Sequence, residues 1–277
     1  MKILVIDGCP KKGNTWKITQ KAMEIIKESY PDVTYEEVVL IKGNLPFCIG
    51  CSNCFRVGHN KCPHHETMNT IIEKIDEADG IIICSSTFNW QVTGVLKNMF
   101  DHLCFMLHRP YFHRGKALVI TTTGGTGGKK SAKSISSILS GIGFNRCYNA
   151  SFSTYSWNDY KPSTRDIKKV SRKAAQFAKD VESIKLHSPS FVQLIPYNIM
   201  RGMGQHYTSK SKYPTEDGDW WSCENRKEYA YFPQVKLPFY KRWFGQLFYG
   251  LGKWLGGMNF MQVSYKKDAI SAPVEEL

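Results

Sequence analysis

Four cysteines stand close together in the first quarter of the chain. Cys48, Cys51, Cys54 and Cys62 follow the spacing C-x2-C-x2-C-x7-C. Thiolates spaced in this way on one loop can converge on a single centre. Three close cysteines and one more distant are more typical of iron–sulfur ligation than of zinc fingers, whose ligands come in two separated pairs. Three interpretations stay open: a four-iron cluster, a zinc ion, and thiols that bind no metal or form a redox disulfide.

Three loops rich in hydroxyl groups, amides or glycine indicate a second site. In "GCPKKGNT", residues 8–15, backbone amides and the side chains of Asn14 and Thr15 can hold an anion at a helix start. The loop lacks G-x-G-x-x-G, so it suits one terminal phosphate better than a dinucleotide pyrophosphate. "SSTFNWQVTG", residues 85–94, offers aromatic side chains to a planar ring. "TTTGGTGG", residues 121–128, lets backbone approach a ligand closely.

The elements around these loops alternate between strand and helix. This order predicts an α/β fold with a five-stranded parallel sheet covered on both faces. The three loops would then meet at the carboxyl ends of the strands, where open α/β sheets bind ligands. The predicted strands are residues 2–6, 32–41, 80–84, 116–122 and 144–153, and the predicted helices are residues 16–30, 67–79, 95–107, 131–143 and 165–184.

The alternation ends near residue 185, and residues 186–277 form an aromatic-rich C-terminal extension. Within it, residues 242–260 are predicted to form an amphipathic helix, with glycines on one side. The other side carries an apolar row of Trp243, Leu247, Leu251, Trp254 and Met258. The extension is open to several interpretations: packing on the main domain, a lid over a substrate, a dimer surface, or contact with a membrane surface.

Composition restricts the class of protein further. The net charge is +13, and the basic excess begins after the first 80 residues, which are nearly neutral. Because charge alone points to nucleic acid, we expect no nucleic-acid partner. Contact with a membrane surface, which rests on the basic, Trp-rich residues 240–260, is the least favoured interpretation of the extension. The nine cysteines are an odd number, and the apolar run at residues 3–6 is too short for a signal peptide. We therefore expect a reducing, cytoplasmic setting.

The motifs "GCPKKGNT", "CIGCSNC" and "SSTFNWQVTGVLKNMFD" resemble those of the flavodoxin-like NAD(P)H-dependent FMN reductase family. The resemblance covers residues 1–185. The first motif is similar to the family's phosphate loop, usually G-S-P-R-x-x-G-N-T, with Cys9 in place of serine. The third is similar to S-P-x-Y-x-x-x-x-x-G-x-L-K-N-x-x-D, with Thr87 in place of proline. The cysteine motif is similar to that of iron–sulfur flavoproteins, which carry a four-iron cluster beside FMN.

The resemblance implies a flavodoxin-like, doubly wound domain at 1–185 that binds FMN, followed by the extension at 186–277. It implies an NAD(P)H-dependent oxidoreductase that reduces a small acceptor, namely a flavin, a quinone, or a nitro- or azo-aromatic compound. The alternative is an FMN and iron–sulfur electron carrier between protein partners. A homo-oligomer, dimer or higher, is also implied. No catalytic acid or base is expected, because the flavin performs the redox step.

Site residues follow from the resemblance position by position. The residues implied at the FMN phosphate are Cys9, Pro10, Lys11, Asn14 and Thr15. Those implied at the flavin ring are Thr87, Phe88, Asn89 and Trp90 on one side, and Thr122, Thr123, Gly124 and Gly125 on the other. Cys48, Cys51, Cys54 and Cys62 are the implied ligands of a cluster.

Overall fold

The computed structural model describes residues 1–157 and 159–258 of the 277-residue chain. The chain divides into two compact units, one formed by residues 1–48 with 66–187 and the other by residues 49–65 with the segment from Ser188 onward. In chain order the elements are β1 (Lys2–Asp7), α1 (Asn14–Ser29), β2 (Thr34–Val39), α2 (Asn53–Arg56), α3 (His65–Glu77), β3 (Gly80–Ser86), α4 (Gly94–His102), α5 (Phe105–His108), β4 (Lys116–Thr123), α6 (Gly128–Gly141), β5 (Arg146–Ser153), α7 (Thr164–Glu182), α8 (Phe191–Gly204), α9 (Glu216–Ser222), α10 (Glu224–Lys227) and α11 (Phe239–Gly257).

The first unit is built on one parallel sheet with the strand order β2-β1-β3-β4-β5. Its central strands are continuous apolar runs such as residues 3–6 and 81–83, which are buried on both faces. The connection from β1 to β2 runs toward one edge of the sheet, and the connections from β3 to β5 run toward the other edge. The loops after β1 and β3 therefore diverge at the carboxyl ends of the strands and leave a cleft at this switch point. The predicted flavodoxin-like fold is confirmed.

Helices α1 and α7 cover one face of the sheet. Helix α7 begins with a capping box, in which Ser163 Oγ accepts from the backbone N–H of Asp166 and the Asp166 carboxylate accepts from that of Ser163. The apolar side chains that the two helices bury recur at helical spacing. They are Ile18, Ala22 and Ile26 from α1, and Val170, Ala174 and Phe177 from α7.

A buried ion pair joins β4, β5 and the end of α7. Asp180 Oδ1 lies 2.8 Å from His187 Nε2 and 3.5 Å from Lys116 Nζ, and Oδ2 accepts from the Tyr148 hydroxyl at 3.0 Å. Burial alone would raise the pKa of Asp180, but the hydrogen bonds from His187 and Tyr148 outweigh it and lower that pKa. Burial lowers the pKa of Lys116. Each charge in this group therefore depends on its partners.

In the second unit, α8 and α11 pack with their backbones almost in contact. A Cβ atom added at Gly202 would lie 2.3 Å from the carbonyl oxygen of Tyr249, and one added at Gly252 would lie 2.2 Å from that of Ile199. Glycine is therefore required at both positions. The buried residues of α11 are Gly245, Gly252 and Gly256. The glycine side, rather than the large apolar side chains, is the packing face of this helix.

The opposite side of the helix carries the apolar residues predicted from the sequence. Trp243, Leu247, Leu251, Trp254 and Met258 are all exposed, and we call them the aromatic row. Observed helix α11 begins three residues earlier than predicted, and predicted residues 259–260 lie outside the described part of the chain. None of the helices in residues 1–157 and 159–258 is long and apolar enough to cross a membrane.

Two local features differ from the sequence expectation. The predicted helix at 95–107 divides into α4 and α5, because the last turn of α4 is engaged in tertiary contacts: His102 Nε2 lies 2.9 Å from the carbonyl oxygen of Pro46. The extension contains α8, α9 and α10 ahead of α11, where the sequence showed few clean helical patterns. Helix α8 carries Pro196 and two glycines, Gly202 and Gly204, which conceal its periodicity.

Candidate functional site

The hydroxyl of Thr15 lies at the centre of the candidate site. Its Oγ1 lies 2.6 Å from Thr122 Oγ1 and 3.1 Å from Ser86 Oγ. Thr15 is in the first turn of α1, and its two partners are at the carboxyl ends of β4 and β3. The loop after β1 reaches this place through Gly8, where a Cβ atom would lie only 3.0 Å from the carbonyl oxygen of Cys84. Three strand ends thus meet at one hydroxyl cluster.

Buried polar atoms without protein partners surround the cluster. Among the residues that the structure describes, Asn14 Oδ1, Thr87 Oγ1 and Asp7 Oδ2 are buried and accept or donate no hydrogen bond. Asn14 is nevertheless held in place, because its Nδ2 donates to the carbonyl oxygen of Ser156 at 3.1 Å. An unsatisfied buried polar group costs about 1–3 kcal/mol, so such groups usually mark a ligand or water site. These residues fit the polar groups of a mononucleotide.

The loop after β3 presents two aromatic side chains on a tight turn. Phe88 and Gln91 exchange backbone hydrogen bonds of 3.0 and 2.9 Å, and the residues between them, Asn89 and Trp90, have φ values of 48° and 63°. The segment is a two-residue β-turn in which both central residues have positive φ. Positive φ is unusual for a bulky side chain. Trp90 is held by its Nε1, which donates to Thr126 Oγ1 at 3.3 Å.

The exposed rings of Phe88 and Trp90 give the carboxyl edge an apolar surface on which a planar ring can stack. The backbone strain at Trp90 is of the kind that clusters at ligand sites. Gly127, with φ 91°, allows the turn to pack closely, since a Cβ atom there would lie 2.2 Å from Trp90 Cδ1. The turn and the β4 loop therefore support each other.

The loop after β4 leaves room beside this surface. Thr123 Oγ1 donates to the carbonyl oxygen of Thr126 at 2.6 Å and accepts from the backbone N–H of Gly125 at 3.4 Å. Cβ atoms added at Gly124 and Gly125 would meet no described atom within 4 Å. The open space and the glycines allow a ligand to approach the backbone.

The loop after β1 divides into a buried start and an exposed tip. Cys9 is buried, whereas Pro10 and Lys11 are exposed. Lys12 forms an ion pair with Glu37 at 2.7 Å and is thereby directed toward β2. Lys11, the lysine that the family's phosphate-loop motif implies at the phosphate, lies at the exposed tip of the loop.

Cys9 belongs to a buried group with Asp7 and Cys84, whose donor atoms all lie within 4.8 Å of one another. Asp7 Oδ1 accepts from the Cys9 backbone N–H at 2.9 Å and lies 3.3 Å from Cys84 Sγ. The hydrogen bond between the two thiols lowers the pKa of Cys9 against the effects of burial and of the Asp7 charge. The same hydrogen bond and burial raise the pKa of Cys84 well above its usual value. Cys9 is therefore the thiol that ionises first.

The four clustered cysteines are distributed over both units. Cys48 is an exposed residue of the first unit, and α4 holds its backbone: Asn98 Oδ1 accepts from the Cys48 N–H at 3.1 Å, and Asn98 Nδ2 donates to the carbonyl oxygens of Leu45 and Pro46 at 3.0 Å each. This positions the start of the motif on a rigid helix. The sequence did not single out Asn98 for this role.

Cys51, Cys54 and Cys62 are half-buried residues of the second unit. Cys54 lies in the short helix α2, which follows two left-handed residues, Gly50 with φ 68° and Ser52 with φ 62°. The segment is therefore tightly curled. Four thiols in this spacing are the donor set of an iron–sulfur cluster, and the assignment of these residues as cluster ligands stays a prediction.

Sequence reasoning missed three residues of the site. Ser86 completes the Thr15 hydroxyl cluster, and Asp7 and Cys84 form the group around Cys9. Their position is the one signal they offered, because Asp7 ends β1, Ser86 ends β3 and Cys84 lies two residues before that end, and these are the two strands at the switch point. The register pairs Asp7 directly with Cys84.

The strand order and the hydroxyl-lined cleft at the switch point define the flavodoxin-like class. The sequence model of the family described as NADPH-dependent FMN reductase matches residues 1–158, more than half of the chain. The chain belongs to this family and is a flavin-dependent oxidoreductase enzyme.

The curated relatives include iron–sulfur flavoproteins, an NADPH azoreductase and an NAD(P)H-dependent FAD/FMN reductase. An iron–sulfur flavoprotein of Clostridioides difficile is 32% identical over 177 residues, which cover 62% of this chain and 77% of that protein. One from Methanosarcina thermophila is 26% identical and matches 67% of this chain and 97% of its own length. An NADPH azoreductase of a Bacillus species is 25% identical over 51% of this chain and 70% of its own. Other iron–sulfur flavoproteins, from Archaeoglobus fulgidus and Methanocaldococcus jannaschii, are matched over about half of their length.

Solved structures share the fold. A crystal structure of an azoreductase from Bacillus anthracis superposes with a TM-score of 0.50 at 14% identity, covering 66% of this chain and 99% of that one. At this identity the likeness concerns the fold alone. The acceptor and the partners of the present protein are therefore matters for proposal.

Proposed function

We propose that the protein binds FMN at the carboxyl edge of its sheet and uses it to pass electrons from NAD(P)H to a small acceptor. The acceptor class comprises flavins, quinones and nitro- or azo-aromatic compounds. The observation that carries the proposal is the Thr15, Ser86 and Thr122 hydroxyl cluster, which lies on the same sheet edge as the exposed aromatic turn at residues 88–91. Membership of the FMN reductase family supports it.

In this proposal the FMN phosphate lies at the start of α1. The helix N-terminus favours an anion, the Thr15 hydroxyl and the backbone N–H groups of the helix start, including that of Asn14, supply hydrogen bonds, and Lys11 supplies charge. Cys9 and Pro10 shape the loop. The bond from Asn14 Nδ2 to the carbonyl oxygen of Ser156 fixes the start of α1, so little conformational entropy is lost there when a ligand binds.

The flavin ring lies between two loops in this proposal. Thr87, Phe88, Asn89 and Trp90 border one side, and Thr122, Thr123, Gly124 and Gly125 border the other. Bound FMN would supply the redox chemistry by accepting a hydride equivalent from NAD(P)H and giving up its electrons to the acceptor. The residues of the chain orient the ring and exclude water from one of its faces. No acid or base side chain is assigned.

A second candidate function is electron transfer between protein partners through FMN and an iron–sulfur cluster. The C-x2-C-x2-C-x7-C spacing of Cys48, Cys51, Cys54 and Cys62 favours it, as do the names of several relatives. Anaerobically purified protein would then contain iron and sulfide as well as FMN, and replacing Cys51 by serine would lower the iron content. A homo-oligomer, implied by the family resemblance, also stays a prediction.

The decisive experiment is an anaerobic titration of the FMN-loaded protein with NADPH. We expect the visible flavin absorbance to bleach in proportion to added NADPH, and to return when a quinone or an azo dye is added. Protein that stays colourless after incubation with excess FMN contradicts the proposal. Protein that is bleached only by a reduced protein partner, and not by NADPH, supports the second function instead.

The Cys9 thiol provides a pH test of the phosphate position. Because the pKa of Cys9 is lowered, a thiolate forms there as the pH rises toward the usual thiol range and repels the FMN phosphate. FMN affinity should therefore fall with rising pH, by severalfold. The Cys9→Ser variant, which restores the serine usual in the family, should keep high affinity across the same range when FMN fluorescence quenching is measured. Equal pH profiles for the two proteins would contradict this placement.

A further inference from the structure

The aromatic row of α11 is a contiguous row of large apolar side chains that are exposed. Trp243, Leu247 and Trp254 are 70%, 56% and 60% exposed, and Leu251 and Met258 extend the same row. Scattered apolar residues on a surface are ordinary, but a contiguous row of large ones marks an interaction site. The row lies outside every residue assigned to the FMN site.

The outward direction of the row is imposed by packing. Gly245, Gly252 and Gly256 are the buried residues of α11, and Cβ atoms added at Gly202 of α8 or at Gly252 would collide with the opposing backbone. Any rotation of α11 that turned the tryptophans inward would replace these glycines by bulky side chains at backbone contact. The row therefore cannot be hidden against α8.

The charged residues of helix α11 are all of one sign. Helix α11 contains Lys241, Arg242 and Lys253 and no acidic residue. With about 100° between successive residues of a helix, Arg242 and Lys253 lie on the same side of α11, roughly 120–140° from the centre of the row and nearer to the glycine side. A second copy of this face would bring like charges together, whereas an anionic surface complements them.

We propose that α11 lies on an anionic lipid surface, with the aromatic row in the boundary between headgroups and acyl chains. The positive charges of Arg242 and Lys253 would attract the helix to the anionic surface at longer range. Tryptophan suits this boundary because its ring is apolar and its N–H is polar. The helix is not long and apolar enough to cross a membrane, and a helix with one apolar row can instead lie in the interface plane. Contact with a membrane surface was one of the interpretations that the sequence left open, and the inward-facing glycines favour it because they leave the aromatic row exposed.

The test is co-sedimentation of the full-length, FMN-loaded protein with vesicles. One set contains phosphatidylglycerol and phosphatidylcholine, and the other contains phosphatidylcholine alone. We expect binding to the anionic set that weakens as salt is raised. The Trp243→Ser/Trp254→Ser variant should bind at least about tenfold more weakly. The matched control is Trp157→Ser, since Trp157 is an exposed tryptophan of the first unit, and it should bind like the wild type.

Several results would overturn the proposal. These are absence of binding to anionic vesicles, equal binding by the wild type and the double variant, and loss of binding in the Trp157→Ser control to the same extent. So would light scattering that shows a dimer dissociating in the double variant while vesicles bind neither protein, because the row would then face a second copy. Retained FMN absorbance shows in each case that the variant is folded.

Discussion

Replacing Thr15 by valine is expected to weaken FMN binding about 10- to 100-fold. Valine keeps the shape of threonine but lacks the hydroxyl that lies 2.6 Å from Thr122 Oγ1 and 3.1 Å from Ser86 Oγ. A hydrogen bond to a charged phosphate is worth about 1.5–3 kcal/mol, which corresponds to this loss. The measurement is the FMN dissociation constant from fluorescence quenching at fixed salt.

Thr19 offers a matched control on the same helix. It is also a buried threonine of α1, and its hydroxyl donates to the backbone carbonyl of Thr15 at 3.1 Å. The Thr19→Val variant removes an equivalent hydroxyl inside the helix and should bind FMN within about twofold of the wild type. If both variants lose affinity equally, the effect of Thr15→Val lies in the fold of α1 and the phosphate position is wrong.

Replacing Asp180 by asparagine is expected to lower the free energy of unfolding by about 3–5 kcal/mol. The substitution removes the negative charge that lies 3.5 Å from the buried ammonium of Lys116 and leaves that charge without compensation. Urea denaturation followed by far-ultraviolet circular dichroism measures the change. Glu36→Gln is the control, since Glu36 bonds to Lys2 and Lys74 at the partly exposed surface and should cost no more than about 1 kcal/mol.

The pH dependence of this difference has a definite sign. The pKa of Asp180 is lower in the folded protein than its usual value. Its contribution to stability is thus present above about pH 4, the unfolded value, and is lost as the pH falls through the folded pKa. The wild type and Asp180→Asn should therefore converge in stability on acidification below about pH 4. A difference that stays constant from neutral to acidic pH would show that the charge of Asp180 is not the cause.

The sequence predicted the sheet and its loops because their signals are local. Each central strand is a short apolar run, and each of the three loops carries its own hydroxyls, amides or glycines. Bringing Thr15 and Thr122 together needed only the rule that parallel strands end at the same edge. Ser86 was missed because a serine at a strand end has no distinctive spacing, and its role depends on the register between neighbouring strands.

The extension was harder to predict because its last helix packs through small residues and leaves the large apolar ones exposed. Large apolar residues on one side of residues 242–260 suggest a buried face, yet the buried face is the glycine side, chosen by backbone contact with α8. Helix α8 could have been found from its start, since Ser190 and Gln193 form a capping box. The inclusion of residues 49–65 in the second unit had no signal in the local sequence, and a domain boundary near residue 185 stays a prediction.

The turn at Asn89 and Trp90 bears on how quickly a planar ligand can associate. Its two backbone hydrogen bonds and the indole contact with Thr126 hold the aromatic surface in one shape. The conformational entropy of this surface is therefore already lost when the protein folds, and little more is lost when a ligand binds. In the proposed FMN complex we therefore expect association to be limited by diffusion rather than by a loop rearrangement.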